Sequence, residues 1–295
     1  MTDLANVIAV GILLGGIYAL VSVGLNLIFG VIRIVNFAQG EFVMLGMYGT
    51  YAVYNLLHLD PYVAVLLVLP VLFVVGAVIQ RLILAPLRTE PSMQIFATFG
   101  LLMLLENVVL AVTRGTAYSV PSPLAEVSVA ILGAQIGLVR LLALVAATAV
   151  AVALGVFLKR SMLGRAIRAV AQDRNAARLV GIDVDRIYML TFGIGTALAG
   201  LAGCLLTPIY SLSPQIGTSF ILPAFAVVVL GGLGSVLGAY VGGFIVGLTE
   251  SFAGYYLDPA LKHAVLFAVF IAVLIVRPSG LFGQVGAEEI GLRGE

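Results

Sequence analysis

The sequence predicts an all-α protein, a polytopic bundle of membrane helices that forms a single domain over residues 1–295. Hydrophobic residues make up 62% of the chain and charged residues only 10%, with a mean hydropathy of +1.18. The apolar residues are gathered in long runs, and a helix needs about 20 such residues to cross the hydrocarbon core of a bilayer. This composition excludes a soluble fold, and the net charge of +1 gives no indication of a nucleic-acid partner.

Eight apolar spans are predicted, separated by short polar or proline-containing joints. The first span follows an N-terminus that lacks the basic flank and cleavage site of a secretory signal, so we expect it to remain as a membrane helix. The predicted spans are Ala5–Gly30, Phe37–Leu57, Tyr62–Leu84, Gln94–Thr113, Val139–Leu158, Ile187–Ile209, Ser219–Thr249 and His263–Val276. No joint has the composition of a linker between domains.

The seventh span is too long for one crossing and is interrupted by the run Gly231-Gly232-Leu233-Gly234-Ser235. This interruption predicts a re-entrant pair of half-helices. Irregular backbone at membrane depth persists only where protein or a water-filled cavity satisfies its polar groups. Because discontinuous helices often line transport sites, Gly234 and Ser235 are assigned to a candidate substrate pathway.

The polar segment Lys159–Arg186 holds seven of the fifteen Lys and Arg residues. The positive-inside rule places this segment in the cytoplasm. Counting the spans backward then puts Arg33, Arg81 and Arg88 on the same side, with the N-terminus and the loop between the fourth and fifth spans outside. If the seventh span doubles back, Arg277 and the tail are cytoplasmic as well, whereas a single crossing would reverse them.

Small residues recur at four-residue spacing along several spans, as at Gly11 and Gly15. This spacing lets helix backbones approach closely, so the spans are predicted to pack into one bundle. Asn26, in the first span, is interpreted as a residue that forms an interhelical hydrogen bond. A weak internal echo between Gly40–Gly49 and Gly234–Gly242 is typical either of a structural repeat or of shared glycine-rich composition.

The densest polar cluster within reach of the membrane runs from Arg33 to Glu41. Asn36 is predicted to cap a helix with Gln39 as its third residue, as in a capping box. The free N–H groups and the positive dipole end of such a helix would suit a substrate carboxylate, and Glu41 would pair with Arg33 or with a substrate ammonium. The alternative is a helix cap at the membrane interface with a snorkelling Arg33.

Glu106 and Asn107 fall in the middle of the fourth span, where a carboxylate is costly and usually faces the bundle interior. Both are assigned to the candidate pathway, with a purely structural role left open. Glu250 is interpreted as a residue at a helix end. Cys204, the only cysteine, lies in an apolar span and predicts small-residue packing, and it excludes a disulfide within the chain. No metal site and no cofactor are predicted.

The segment Lys159–Arg186 is predicted to contain two short helices, Gly164–Ala171 and Arg174–Val180, with Asp173 as a cap between them and Gly181 as a helix stop. Its apolar residues are too many for a solvated tether and predict docking onto another protein. These apolar residues are Ile167, Val170, Ala177, Leu179 and Val180. The alternative is a helix that lies on anionic lipid.

Four segments resemble, in the same order along the chain, the permeases of branched-chain amino acid ABC importers of the LivH type. They are Val35–Gly46, Gly164–Ile182, Leu230–Gly238 and Arg277–Gly283. The resemblance implies a heterodimer with a second, related permease, two cytoplasmic ATPases and an extracytoplasmic substrate-binding protein. It also implies that Arg165–Ile182 is a coupling loop seated on an ATPase. The residues assigned to coupling are Gly164, Arg165, Arg168, Asp173, Ala177, Leu179, Gly181 and Ile182.

The predicted function is that of an ABC permease subunit in the bacterial inner membrane that moves Leu, Ile or Val into the cell. The sequence has no G-x-x-x-x-G-K-[ST] phosphate loop and no recognisable catalytic arrangement, so ATP hydrolysis is expected on a separate chain. Two alternatives remain open. One is a urea or short-chain amide permease of the same family, and the other is an ion-coupled secondary carrier that uses Glu41 or Glu106 as its proton site.

Overall fold

The computed structural model of the protein describes residues 2–283 except 123, 125, 126, 132 and 133. The helices are α1 Thr2–Ile32, α2 Gln39–Leu57, α3 Pro61–Ile79, α4 Pro91–Thr113, α5 Leu138–Arg160, α6 Met162–Gln172, α7 Arg174–Leu179, α8 Val184–Leu206, α9 Thr218–Gly231, α10 Val236–Tyr256 and α11 Lys262–Val276. A π-helical turn, Gln80–Leu84, continues α3, and a 3₁₀ turn, Pro259–Leu261, precedes α11. Two short strands, β1 Ser128–Ile131 and β2 Ala134–Gly137, pair antiparallel between α4 and α5.

The predicted all-α membrane bundle is confirmed, and each predicted span corresponds to one or two of these helices. Among the described residues, seven helices are long and apolar enough to cross a membrane: α1, α3 with its π turn, α4, α5, α8, α10 and α11 with its 3₁₀ turn. Two other apolar helices are different. α2 begins with the polar residues Gln39 and Glu41, and α9 has only 14 residues. The β1–β2 hairpin was not predicted, because its four-residue strands are too short to give a periodic signal.

Contacts between distant loops define the two ends of the bundle. At one end Arg33 donates to the carbonyl oxygen of Ala171 (3.1 Å), and Arg88 forms an ion pair with Asp185. Both arginines therefore lie beside α6 and the start of α8, on one side of the bundle as the charge count predicted. The positive-inside rule predicts that this side faces the cytoplasm, and we call it the cytoplasmic end. At the opposite end the loop after α4 meets the loop after α8, where Tyr118 and Leu212 exchange backbone hydrogen bonds of 3.1 and 2.8 Å.

The interruption predicted in the seventh span is present, but it separates a short helix from a full-length one. α9 has 14 residues and α10 has 21, so the prediction of two half-helices was wrong for α10. The break lies at the cytoplasmic end, where the amides of Leu281 and Phe282 donate to the carbonyl oxygens of Leu230 (2.8 Å) and Gly231 (3.0 Å). These contacts place the segment that begins at Arg277 at the same end of the bundle as the break between α9 and α10, while the tail beyond residue 283 lies outside the described residues.

Helices α1 to α4 and helices α8 to α11 form two sets, and corresponding helices of the two sets run in opposite directions across the membrane. α1 packs antiparallel against α10, with Gly15 beside Phe244 and Asn26 beside Ser235. α8 packs antiparallel against α3 in the same way, with Thr196 beside Gly76. The order α1 to α4 is thus repeated, inverted, by α8 to α11, an arrangement known from many transporters. This repeat relates α2 to α9 and α3 to α10, so the sequence echo between α2 and α10 reflects close glycine packing and does not mark the repeat.

Glycines allow the inner helices to approach at backbone distance. A Cβ atom on Gly46 of α2 would lie 2.3 Å from the carbonyl oxygen of Gly200 in α8, and one on Gly203 would lie 2.1 Å from that of Val43. On the other side of the bundle, a Cβ on Gly11 would lie 2.9 Å from Cα of Leu248. The prediction that small residues pack the spans into one bundle is therefore confirmed.

Candidate functional site

The N-termini of α2 and α9 meet inside the bundle. A Cβ atom on Gly40 would lie 2.2 Å from the carbonyl oxygen of Gly217, the residue that precedes α9. The side chain of Gln39 donates to the carbonyl oxygen of Gly195 (3.3 Å), and Gly195 is the central residue of α8. The two helix starts therefore face each other at about half the height of a membrane-spanning helix. We call this place the helix-start junction, formed by residues 36–41 and 217–218.

Glu41 is the charged residue of the helix-start junction. It is fully buried, and among the described residues neither of its carboxylate oxygens has a hydrogen-bond partner. Its Oε1 lies 2.7 Å from the position that a Cβ on Gly217 would take. The expected pairing with Arg33 is absent, because Arg33 turns to the cytoplasmic end and bonds to Ala171. An unpaired carboxylate at membrane depth is costly, which makes Glu41 a candidate functional residue. Two helix N-termini supply partial positive charge beside it.

Asn36 and Gln39 form a chain of hydrogen bonds that leads into the junction. Asn36 Oδ1 accepts from the amide of Ala38 (3.1 Å), and Asn36 Nδ2 donates to Gln39 Oε1 (3.1 Å). The N-cap residue of α2 is Ala38, and its side chain forms no capping bond. The predicted capping box is therefore wrong, because Gln39 is the first residue of α2 and bonds to Asn36 and Gly195. Both side chains are fully buried, which also rules out an interfacial cap.

Three residues near the centre of the bundle were not predicted as site residues. Gly217 brings the start of α9 to Glu41. Thr191 and Thr196 of α8 are fully buried, and within the described part of the chain their hydroxyl groups have no hydrogen-bond partner. No sequence signal identifies them, because a threonine in a membrane helix usually satisfies its hydroxyl with its own backbone.

Glu106 and Asn107 lie on α4, an outer helix of which most residues are exposed in the single chain. Glu106 is partly buried, whereas Asn107 is exposed and donates to the carbonyl oxygen of Met103 (2.8 Å), one turn earlier in its own helix. Among the described residues, neither side chain forms a hydrogen bond or ion pair with the helix-start junction, but the Glu106 carboxylate is near enough to Glu41 for the two charges to repel each other.

Gly234 and Ser235 form the turn between α9 and α10 at the cytoplasmic end. Asn26 of α1 holds this turn, since its Nδ2 donates to the carbonyl oxygens of Gly232 (3.3 Å) and Ser235 (2.6 Å) and its Oδ1 accepts from the amide of Gly234. Ser235 Oγ accepts from the amide of Gly238 (3.0 Å) and caps α10. The predicted interhelical role of Asn26 is confirmed, and the structure also places these two pathway candidates away from the helix-start junction.

The cytoplasmic segment has the predicted pair of helices, α6 and α7. Asp173 caps α7, because its Oδ1 accepts from the amides of Asn175 (2.8 Å) and Ala176 (3.0 Å). These hydrogen bonds lower the pKa of the Asp173 carboxyl below its ordinary value, and the bond from Ala176 has the larger effect. Gly181 ends α7 with a φ of +84°, a conformation that favours glycine. Both the predicted cap and the predicted helix stop are confirmed.

The apolar residues of this segment divide into two groups. Ile167, Val170 and Ala177 are buried in the core of this chain. The prediction that they dock onto a partner protein is therefore wrong. Leu179 and Val180 remain 89% and 76% exposed. Exposed apolar side chains on a cytoplasmic surface are typical of an interaction site. The sequence pattern indicated all five apolar residues, but it did not show which of them face the core of this chain and which face outward.

Comparison with known proteins identifies the family. Residues 7–274 match the family described as branched-chain amino acid transport system / permease component. The chain belongs to this permease family. It is 33% identical over 302 residues to the high-affinity branched-chain amino acid transport system permease protein LivH of Escherichia coli K12, covering 95% of this chain and 96% of the relative. It is 32% identical over 294 residues to the corresponding permease protein BraD of Pseudomonas aeruginosa, covering 95% and 96%.

A ribose import permease protein, RbsC of Bacillus subtilis, is 35% identical over 103 residues, which cover 32% of each chain. No solved structure matches the permease significantly. The prediction of a LivH-type permease that crosses the membrane several times is confirmed by these relatives together with the seven candidate spans.

A second buried carboxylate of the permease, Glu250, provides a contrast to Glu41. Glu250 lies within α10, which extends to Tyr256, so its interpretation as a helix-end residue was wrong. Its oxygens accept from the hydroxyl of Tyr18 (2.6 Å) and from Nζ of Lys262 (2.7 Å). This carboxylate is therefore fully partnered and ties α1, α10 and α11 together at the extracytoplasmic end. Only the carboxylate of Glu41 is left without a partner in the described core.

Proposed function

We propose that this permease is the membrane subunit of an ABC importer that carries branched-chain amino acids, Leu, Ile and Val, into the cell. The observation that carries this proposal is the similarity to the LivH and BraD proteins over almost the whole length of each chain. The bacterial inner membrane is the proposed location, because the chain is similar to the LivH and BraD permeases over almost its whole length and has seven helices able to cross a membrane among its described residues.

The proposed complex contains a second, related permease as heterodimer partner, two ATP-binding subunits that hydrolyse ATP, and an extracytoplasmic substrate-binding protein. The absence of a phosphate-binding loop from the sequence supports hydrolysis on separate chains. The exposed Leu179 and Val180 support an ATPase seat on α7. Closure of the ATPases against this seat would drive alternating access of the permease.

The helix-start junction is the proposed place where the permease recognises the amino-acid backbone of the substrate. A substrate carboxylate would lie at the start of α9, where the helix dipole favours an anion. The substrate ammonium would pair with Glu41, which is the unpartnered carboxylate in the described core. Asn36 and Gln39 would hold the start of α2 in place through their bonds to each other and to Gly195. Glu41 is fully buried, so the junction would have to open to admit a substrate.

Glu106, Asn107, Gly234 and Ser235 remain pathway candidates in this proposal, but with different positions. Glu106 is a partly buried carboxylate on α4 that interacts electrostatically with Glu41, and it would lie along the substrate path, because a charge in a membrane span is kept away from lipid. Gly234 and Ser235 would border the cytoplasmic exit.

The proposal is tested by uptake into proteoliposomes that contain the complete complex. Radiolabelled Leu, Ile, Val, Ala, urea and acetamide are compared with and without internal ATP. We expect ATP-dependent uptake of Leu, Ile and Val that vanadate abolishes and an uncoupler leaves unchanged. Uptake of urea or acetamide instead would assign the chain to the amide importers, and inhibition by the uncoupler rather than by vanadate would identify a secondary carrier.

A further inference from the structure

A polar cavity of about 480 Å³ lies at the cytoplasmic end, between the π turn Gln80–Leu84, the joint that follows it and the start of α8. The residues that matter for its chemistry are Gln80, Arg81, Arg88, Asp183, Asp185 and Arg186. None of them belongs to the helix-start junction or to the exposed apolar pair Leu179 and Val180. We call this cavity the π-turn cavity.

The two carboxylates of the π-turn cavity are already neutralised. Asp185 forms an ion pair with Arg88, and Asp183 Oδ2 lies 3.6 Å from Nε of Arg186. Asp183 also accepts from the amide of Arg186 (3.1 Å) and caps α8. A cation would therefore find no free carboxylate in this cavity.

Several donor groups at the cavity, in contrast, have no hydrogen-bond partner among the described residues. Gln80 is 1% exposed, and both atoms of its amide lack a partner among the described residues. The buried Nε of Arg88 is also without a partner there, while its guanidinium carbon lies 4.7 Å from the centre of the Tyr188 ring. Arg81 is exposed and forms no hydrogen bond or ion pair within the described part of the chain. A buried polar group without a partner is costly, so an unpartnered amide beside two arginines indicates an anionic ligand.

The surroundings favour a lipid as the source of the anion. Exposed apolar side chains lead from the cavity along one face of α3 and its π turn: Val71, Val74, Val78 and Leu82. This spacing of three and four residues forms a continuous stripe on which an acyl chain would lie. Basic pockets between membrane helices on the cytoplasmic side are typical binding places for lipid head groups.

We propose that the π-turn cavity binds the head group of an anionic glycerophospholipid of the cytoplasmic leaflet. The lipid phosphate accepts hydrogen bonds from Arg81, Arg88 Nε and Gln80 Nε2, and a head-group hydroxyl, as in phosphatidylglycerol, donates to Gln80 Oε1. Both atoms of the buried amide are then satisfied. The bound lipid links α3 to the start of α8, next to the point where the chain leaves α7.

The test is a lipid titration of the full-length permease, in the complex in which it is purified, followed by native mass spectrometry. Phosphatidylglycerol is compared with phosphatidylcholine of the same acyl chains. Arg81→Gln should weaken phosphatidylglycerol binding about fivefold, the effect of one arginine near the head groups. Arg277→Gln, which removes an exposed arginine elsewhere at the cytoplasmic end, should leave the affinity unchanged.

Gln80→Leu separates a binding role from a purely structural one. Without lipid, this variant should unfold at the same or a higher temperature than the wild type, because it removes an unpaired buried amide. With phosphatidylglycerol it should lose most of the lipid-dependent rise in unfolding temperature that the wild type shows. Retention of the full rise in Gln80→Leu would overturn the proposal.

Three other outcomes would also overturn it. Equal weakening by Arg277→Gln would show unspecific attraction to a basic surface. Protection by inorganic phosphate or glycerol 3-phosphate equal to that by phosphatidylglycerol would assign the cavity to a soluble phosphate ligand. Release of an ATPase subunit by Arg81→Gln, with lipid binding unchanged, would assign the arginine to a protein contact.

Discussion

Gly40 and Gly217 meet where the starts of α2 and α9 face each other, and no side chain fits between them. A Cβ atom on Gly40 would lie 2.2 Å from the carbonyl oxygen of Gly217, and the other obstructing atoms are also backbone atoms of Gly217. Backbone cannot rotate away as the end of a flexible side chain does. The distance between the two helix starts is therefore set by the absence of side chains at these two positions.

Gly40→Ala tests this contact. We expect it to destabilise the permease by about 1 to 3 kcal/mol, because one extra methyl group forces apart two helix starts that have no space. Gly100→Ala in α4 is the matched control, since a Cβ there would meet nothing within 4 Å. This control should be neutral or stabilising, as expected for glycine to alanine in a helix. The measurement is the unfolding temperature of the purified variants, and equal values would show that the junction can widen without cost.

Glu41→Gln tests the role of the unpartnered carboxylate. The substitution keeps the shape of the side chain and removes the charge that would pair with a substrate ammonium. We expect uptake to fall roughly tenfold or more, the loss of one hydrogen bond to a charged group, while assembly and basal ATP hydrolysis remain. Glu90→Gln, in an exposed loop, is the control and should transport normally. Normal uptake by Glu41→Gln would reduce this residue to a structural role.

Some residues of the helix-start junction could be predicted from the sequence and others could not. Asn36, Gln39 and Glu41 were predicted as a group because polar residues are rare in this apolar chain and these three lie close together in sequence. Gly217 was not predicted, because its approach to Gly40 depends on the inverted arrangement of α2 and α9, which no local pattern records. The segment after α5 gives a second example. Its helices, cap and stop follow from local rules, whereas the burial of Ala177 depends on how α6 and α8 pack against α7 in three dimensions.

Single cysteines, introduced into the Cys204→Ala variant, should show which end of the bundle faces the cytoplasm. Cys204 is itself fully buried, so its replacement removes little reactivity. Ser119 and Asn175 are both exposed, the first in the loop after α4 and the second at the start of α7. Ser119→Cys should react with a membrane-impermeant maleimide from outside, and Asn175→Cys only after the membrane is opened. Reaction of both from the same face would contradict the charge-based orientation.

The ion pair between Glu250 and Lys262 should stabilise the extracytoplasmic end of the bundle. Lys262→Ala leaves the buried Glu250 carboxylate with only the Tyr18 hydroxyl as a partner. We expect a loss of about 1 to 2 kcal/mol, at the low end for such pairs because the Lys262 side chain is 39% exposed. Adding Glu250→Gln to Lys262→Ala should recover part of the loss, since the remaining group is neutral. A double-mutant cycle on unfolding temperature measures this coupling, and strict additivity would show that the pair contributes nothing.

Leu179→Asp and Ala177→Asp should have opposite effects, although only two positions separate them. Leu179 is 89% exposed, so an aspartate there leaves the permease fold intact and removes an apolar contact for the ATPase. Ala177 is 3% exposed, so an aspartate there places an unpaired carboxylate in the permease core, at a cost of about 3 kcal/mol or more. We expect Leu179→Asp to keep the unfolding temperature of the isolated permease and to lose the ATPase during purification. Ala177→Asp should lower the unfolding temperature even without an ATPase present. If Leu179→Asp retains the ATPase and full uptake, α7 lies against lipid or water, and the ATPase seat must be sought on another cytoplasmic surface.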